Sequence, residues 1–255
     1  MARDFLYALD PVAFAADCGM TDLDAWQCRF LIDGAEATGK RNVQILASRQ
    51  VGKTEVCILR SLHVAHTEPG ETVVVISPRQ ATSNEFIRRA RSAYQKLPGA
   101  LRLLTDNDGS MEFENRSRII GLPSSEDGIR GVPKVRCLLV DEAARVSDAL
   151  YASCRPMLAV HPRGELIGLT SAGNASGWFY NAWQDPAAAF EKIEIRASDC
   201  PRLTPQFLES ERKALGETLF RTEYMLEWLA NSESAFPTEI IDRAFGHRDI
   251  RPLWL

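Results

Sequence analysis

The stretch VQILASRQVGKTE, Val43 to Glu55, decides the fold. An apolar run ends in small residues, Gly52-Lys53-Thr54 follows, and a helical pattern begins. Strand, loop and helix N-terminus in that order form a phosphate-binding loop, whose backbone N–H groups face anionic oxygens. Ser48, Arg49, Gln50, Val51 and Gly52 then line the phosphates of a nucleotide. Lys53 reaches the β- and γ-phosphates, and the Thr54 hydroxyl ligates Mg²⁺. The stretch departs from GxxxxGK[ST] at one place, where Ala47 takes the position of the first glycine. An alanine is tolerable there only with a negative φ.

A second motif completes the site. Cys137 to Val140 continue an apolar run, and Asp141-Glu142 follow at its end. A hydrophobic strand delivering an acidic pair supplies what an ATPase needs: an Asp for the Mg²⁺ shell and a Glu to polarise the attacking water. The plain alternative is a strand end with two solvated carboxylates. Lys53-Thr54 upstream, with several strand-like runs between, argue against it. Glu142 beside Asp141 points to hydrolysis by an extra-strand P-loop ATPase rather than to a kinase or GTPase arrangement.

The 255 residues are 45% apolar, enough for one sizeable core. A net charge of −4 is not the footprint of a domain held permanently on nucleic acid, although a local basic patch is compatible with it. Cys18, Cys28, Cys57, Cys137, Cys154 and Cys200 form no CxxC pair and no metal-like spacing with the histidines, so reduced thiols are expected. No run of eighteen apolar residues occurs, and no membrane contact is expected.

Along the chain, residues 1–24 read as a helical lead-in, and a helix starts near Leu23 with Asp22 or Asp24 as N-cap. A helix from Lys53 to about His66 follows the loop. Glu71 to Ser77 is a β-branched run suited to a buried parallel strand. Gln80 to Leu97 reads as helix. The alternation in Gly109 to Leu122 predicts a hairpin around Asn115-Arg116, antiparallel to the main sheet. Ser124 to Pro133 is a polar loop. Val135 to Asp141, Glu165 to Ser171 and Phe190 to Ile195 read as strands, and the chain turns helical from Thr204. This alternation predicts an α/β fold: a doubly wound, mainly parallel sheet with ligands at the carboxyl ends of the strands. The expected division is an ATPase core over 1–203 and a small helical C-terminal subdomain with linker over 204–255.

SRQVGKT (Ser48 to Thr54), SSEDGIRG (Ser124 to Gly131) and LLVDEA (Leu138 to Ala143), in that order, resemble the ATPase domain of a viral large terminase subunit. This family packages DNA into procapsids, and its loops often lack the first glycine. The resemblance implies a RecA-like, extra-strand P-loop fold and Mg²⁺-dependent ATP hydrolysis that drives double-stranded DNA into a procapsid. It implies a portal protein and a small terminase subunit as partners, a homo-oligomeric ring, and the host cell cytoplasm as location.

It also assigns residues. Gln27, after Trp26, matches an adenine-contacting glutamine. Arg49, inside the loop, is a candidate γ-phosphate arginine. Arg130 matches the family's RG element and is a candidate to act in the neighbouring subunit's site, where such an arginine supplies roughly 10³–10⁵ in rate. The tip Thr170-Ser171-Ala172-Gly173 matches a coupling motif that senses the γ-phosphate. Arg88, Arg89 and Arg91 meet DNA phosphates or a neighbouring subunit, or form a solvated helix face. Glu233 to Asp242 resembles a junction leading into a nuclease domain, and no carboxylate cluster maps beyond it, so no nuclease activity is expected in this stretch. The alternatives are a helicase-like motor, which needs a second RecA-like domain, and an assembly protein that binds ATP without turning it over.

Overall fold

The computed structural model describes residues 2–122, 132 and 134–230. Helices α1 (Ala2–Leu9), α2 (Pro11–Asp17) and α3 (Ala25–Glu36) lead into β1 (Arg41–Ala47) and α4 (Lys53–Thr67). Then come β2 (Thr72–Ile76), α5 (Gln80–Tyr94), β3 (Leu103–Asn107), β4 (Ser110–Phe113) and β5 (Arg118–Leu122). β6 (Cys137–Asp141), α6 (Asp148–Cys154), β7 (Glu165–Thr170), α7 (Gly177–Gln184) and β8 (Glu191–Ile195) follow. α8 (Pro205–Leu215) and α9 (Glu217–Tyr224) come last.

The strands form one sheet in the order β3-β4-β5-β2-β6-β7-β1-β8. Strands β5, β2, β6, β7, β1 and β8 pair in parallel. β7 lies between β1, which ends in the loop, and β6, which ends in the acidic pair. This inserted strand is the mark of the extra-strand P-loop architecture expected from the sequence.

Side-chain alternation sends the strands' apolar residues to two faces. Ile45, Val73, Cys137, Leu139 and Ile167 join a core under α4, α5 and the N-terminal helices. Phe220 and Tyr224 of α9 belong to that same core. Leu46, Val74, Leu138, Val140 and Leu166 face the other way, onto Leu150 of α6 and Trp178 and Phe179 of α7. Both faces are covered, which is why the strand sequences read as continuous apolar runs.

The hairpin expectation holds for half of the hairpin. β4 runs antiparallel to β5 and β3, but β5 pairs in parallel with β2. The two arms of a hairpin run in opposite directions, so one arm has to follow the parallel sheet. β3 was not foreseen. It is an edge strand with a register shift between Leu103 and Thr105, and its exposed Leu104 spoils the alternation. α5 stops at Tyr94, short of Leu97.

At the end of the sheet away from the loop, buried charges are matched. Glu165, 1% exposed, accepts from Arg60 at 2.9 and 2.8 Å and from Arg41 at 2.9 Å. Arg136 lies 3.6 Å away. Burial alone would raise the Glu165 carboxyl, but Arg60, Arg41 and Arg136 overcome it and hold it below the ordinary value. Arg60 also donates to the Gly34 carbonyl at 2.7 Å, tying α3 to α4. Replacing Glu165 by Leu leaves the fully buried Arg60 without its carboxylate, whereas Arg41 keeps Glu191 and Arg136 keeps Glu68. The expected loss is about 3–5 kcal/mol in urea unfolding, and a loss under about 1 kcal/mol would show that the cluster relaxes without it.

Candidate nucleotide site

β1 ends at Ala47, which is fully buried and absent from the positive-φ residues, so the alanine continues the strand. The turn is made further on. Gln50 has φ 63° and Gly52 has φ 87°. The positive φ at Gly52 makes glycine the fitting residue at this position, and a β-carbon there would stand 2.6 Å from Nε2 of Gln27, so the Gln27 amide would have to move. α4 starts at Lys53, and its first N–H groups lack intrahelical acceptors.

The loop is fastened from behind. Ser48 donates its N–H to the Ile195 carbonyl at 2.9 Å and its hydroxyl to the Tyr224 carbonyl at 2.7 Å. The Arg49 N–H donates to the Glu223 carbonyl at 2.9 Å. Lys53 Nζ lies 3.4 Å from the carbonyls of both Ala47 and Ser48. Burial lowers the pKa of Lys53, against the pull of Asp141 and Glu223.

Asp141 closes β6, and its Oδ1 accepts the Glu142 N–H at 2.9 Å. Burial pushes the Asp141 pKa up to about 6, opposed by that N–H and by Lys53. Glu142 sits at φ 52°, a left-handed conformation that costs a non-glycine residue about 1–3 kcal/mol. Its Oε2 accepts from Arg145 Nη1 at 3.1 Å, and Arg145 Nη2 reaches Glu223 Oε1 at 3.1 Å. Ser171, just past β7, donates its hydroxyl to Glu223 Oε2 at 2.7 Å.

These groups surround one cavity of about 290 Å³, lined by Lys53, Thr54, Asp141, Glu142 and Ser171 together with Arg49, Arg89, Arg145 and Glu223. It opens at the carboxyl ends of β1, β6 and β7, where doubly wound sheets bind ligands.

Residues 44–243 match the family model described as terminase large subunit, T4likevirus-type, N-terminal. The chain belongs to this terminase family. A mutant form of the Thermus phage P74-26 large terminase ATPase domain superposes with a TM-score of 0.70 at 18% identity, over 85% of this chain and 98% of that one. The HK97 bacteriophage large terminase gives 0.70 at 14% identity, over 88% of this chain and 56% of the other. The large terminase of a thermophilic bacteriophage, in complex with ATP-γ-S, gives 0.66 at 12%, over 82% and 53%. The terminase chain thus shares its fold with these ATPase domains and spans about half of the two longer proteins.

Of the residues singled out in the sequence, Arg49, Lys53, Thr54, Asp141, Glu142 and Ser171 meet at the cavity. Val51 is buried beneath the loop. Gln27 is 3% exposed. It accepts the Asp24 N–H at 2.8 Å and donates to the Gly52 carbonyl at 3.1 Å, so it caps α3 and braces the loop. It also lines, with Gln50 and Gly52, a second cavity of about 480 Å³. Arg130 and the loop Ser124 to Gly131 lie outside the described residues, as does Glu233 to Asp242. Arg88 is an exposed partner of Glu85, Arg91 donates to Asn107, and Arg89 pairs with Glu55 beside the cavity.

The sequence does not single out Arg145 or Glu223, and it offers Arg89 for DNA, a neighbouring subunit or a solvated face rather than for this cavity. Arg145 had a signal, since it stands one turn after Glu142. Glu223 had one too, as an acid between the apolar positions Phe220 and Tyr224. Among the described residues no helix is long and apolar enough to cross a membrane, and all six cysteines are free. Gly52→Ala is expected to destabilise the terminase chain by about 1 kcal/mol or more, read by thermal melting, and to displace Gln27. Unchanged melting would show that the loop relaxes around the methyl group.

Proposed function

We propose that this chain hydrolyses ATP with Mg²⁺ and, assembled as a ring, drives double-stranded DNA into a procapsid. A portal protein and a small terminase subunit are its partners. The observation that carries the reading is the meeting of Lys53, Thr54, Asp141 and Glu142 at one cavity. Family membership supports it, as do the structures of a thermophilic bacteriophage's large terminase in complex with ADP and with ATP-γ-S.

The residues fit a Mg²⁺–nucleotide. Asp141 is a buried carboxylate whose raised pKa marks a charge short of compensation, and the Thr54 hydroxyl lines the same cavity. Among the described residues no three His, Cys, Asp or Glu side chains could cage a metal. Mg²⁺ needs no such cage, because it binds through one or two protein ligands plus phosphates and water. When bound, the ion neutralises charge building up on the phosphate oxygens.

Lys53 and the N-terminus of α4 hold the phosphates. Glu142 orients the attacking water and takes its proton. Ser171 senses the γ-phosphate from the tip of β7. Arg49 lines the cavity and serves as the arginine supplied within the subunit, whereas Arg130 is the candidate from a neighbouring one. Gln27 meets the adenine from the second cavity.

A ligating carboxylate must be ionised, and Asp141 gains its proton as pH falls through about 6. The enhancement of ATP-analogue affinity by Mg²⁺ is therefore expected to be full at pH 8 and to shrink below about pH 6. Titration calorimetry with and without Mg²⁺ checks this, and an enhancement that does not change down to pH 5 would contradict protonation of a ligating Asp141 near pH 6.

The reading as a ring motor is tested by ATP turnover against protein concentration for wild type, Glu142→Gln and Arg130→Ala. Both variants are expected to be inactive alone and to regain activity when mixed, because an intact base and an intact arginine then come from different chains. If turnover per chain is independent of concentration and the mixture stays inactive, Arg130 works within its own subunit or not at all, and Arg49 becomes the leading catalytic arginine. Absence of turnover in the wild type, with and without DNA, would sink the hydrolysis reading.

A further inference from the structure

Glu223 lies on α9, far in sequence from both motifs, yet touches three parts of the site. Its carbonyl accepts the Arg49 N–H of the phosphate loop. Its Oε2 accepts from Ser171 at the tip of β7, and its Oε1 accepts from Arg145, which also holds Glu142. Its side chain is only 8% exposed, whereas those of Arg145 and Glu142 are 51% and 41% exposed. Packing alone asks for an apolar residue here, since Phe220 and Tyr224 on the same helix are core residues. A buried carboxylate is costly to desolvate unless it is well paired. This one is paired on both oxygens, and one of its partners is the only guanidinium shown bonding to Glu142 among the described residues.

We propose that Glu223 is a positioning residue for hydrolysis: it fixes Arg145, and Arg145 in turn fixes Oε2 of Glu142 so that the other oxygen faces the water. A half-exposed carboxylate just past a strand rotates about its side-chain bonds, and a guanidinium that bridges it to a buried anchor limits that rotation. Arg145 is itself half-exposed, so the buried Glu223 carboxylate is the fixed end of the pair. Ser171, bonded to the same anchor, gives the β7 tip a route to the base. The chain of contacts also makes α9 part of the catalytic apparatus. The proposal rests on reading Glu142 as the water-orienting group.

The test is a double-mutant cycle on Mg²⁺-ATP turnover by the whole chain: wild type, Glu223→Gln, Arg145→Ala and the pair, with Arg145→Lys and Glu142→Gln beside them. Each of the first two is expected to lower kcat about ten-fold with KM within about two-fold, and the pair to lose no more than the worse single variant. Arg145→Lys should recover part of the loss. Multiplicative losses in the pair, an unchanged kcat, or a rise in KM alone would overturn the proposal. If Glu223→Gln melts early, the comparison of Arg145→Ala with Arg145→Lys decides, because Arg145 is half-exposed and a lysine there still sets a cation beside the buried Glu223 carboxylate. Wild-type turnover abolished by Glu142→Gln, with the other variants at wild-type kcat, overturns this proposal alone. A wild type without turnover overturns the hydrolysis reading and this proposal together.

Discussion

The phosphate loop keeps its shape because α9 holds it. Two hydrogen bonds, from the Ser48 hydroxyl to Tyr224 and from the Arg49 N–H to Glu223, fasten the loop to a helix more than a hundred residues downstream. Each is worth about 1 kcal/mol net, which is modest, but their position is what counts. They fix where the chain leaves β1, and so where Gln50 and Gly52 can take their left-handed conformations. Ala47 can then stand where a glycine is usual, because the turn has been moved beyond it. Gln27 braces the other side of the loop through the Gly52 carbonyl. The loop is thus gripped from α3 and from α9 at once.

The two ends of the sheet treat charge in opposite ways. At the far end, Glu165 meets Arg60, Arg41 and Arg136, and burial is compensated within the protein. At the loop end, burial lowers the pKa of Lys53 and raises that of Asp141, so neither charge is fully matched. Unmatched charge in a cavity is a standing demand for a ligand. A polyanion carrying a divalent cation answers both signs together. The same low-dielectric setting makes the placed groups act more strongly on whatever enters.

What the sequence made legible was local chemistry. Lys53-Thr54 and Asp141-Glu142 each follow an apolar strand, so a helix start after a loop and a strand end could be read without knowing the fold, and the bounds of β1, α4 and β6 agree. The edge strand β3 was not legible, because edge pairing leaves no clean apolar alternation. Arg145 and Glu223 were missed for a different reason. Spacing set Arg145 one turn after Glu142 and Glu223 between apolar positions, but their roles come from tertiary neighbours, which spacing does not name. Gln27 was read as a group for adenine, while the structure adds a capping and bracing role that only the approach of α3 to Gly52 reveals.

Whether α9 holds the phosphate loop through Ser48 and Arg49 is read by amide hydrogen exchange, with and without a Mg²⁺-loaded, slowly hydrolysed ATP analogue. Analogue binding is expected to slow exchange at Arg49 and along 217–224 together with 50–55. Slowing confined to 50–55, with 217–224 exchanging as in the free chain, would contradict it.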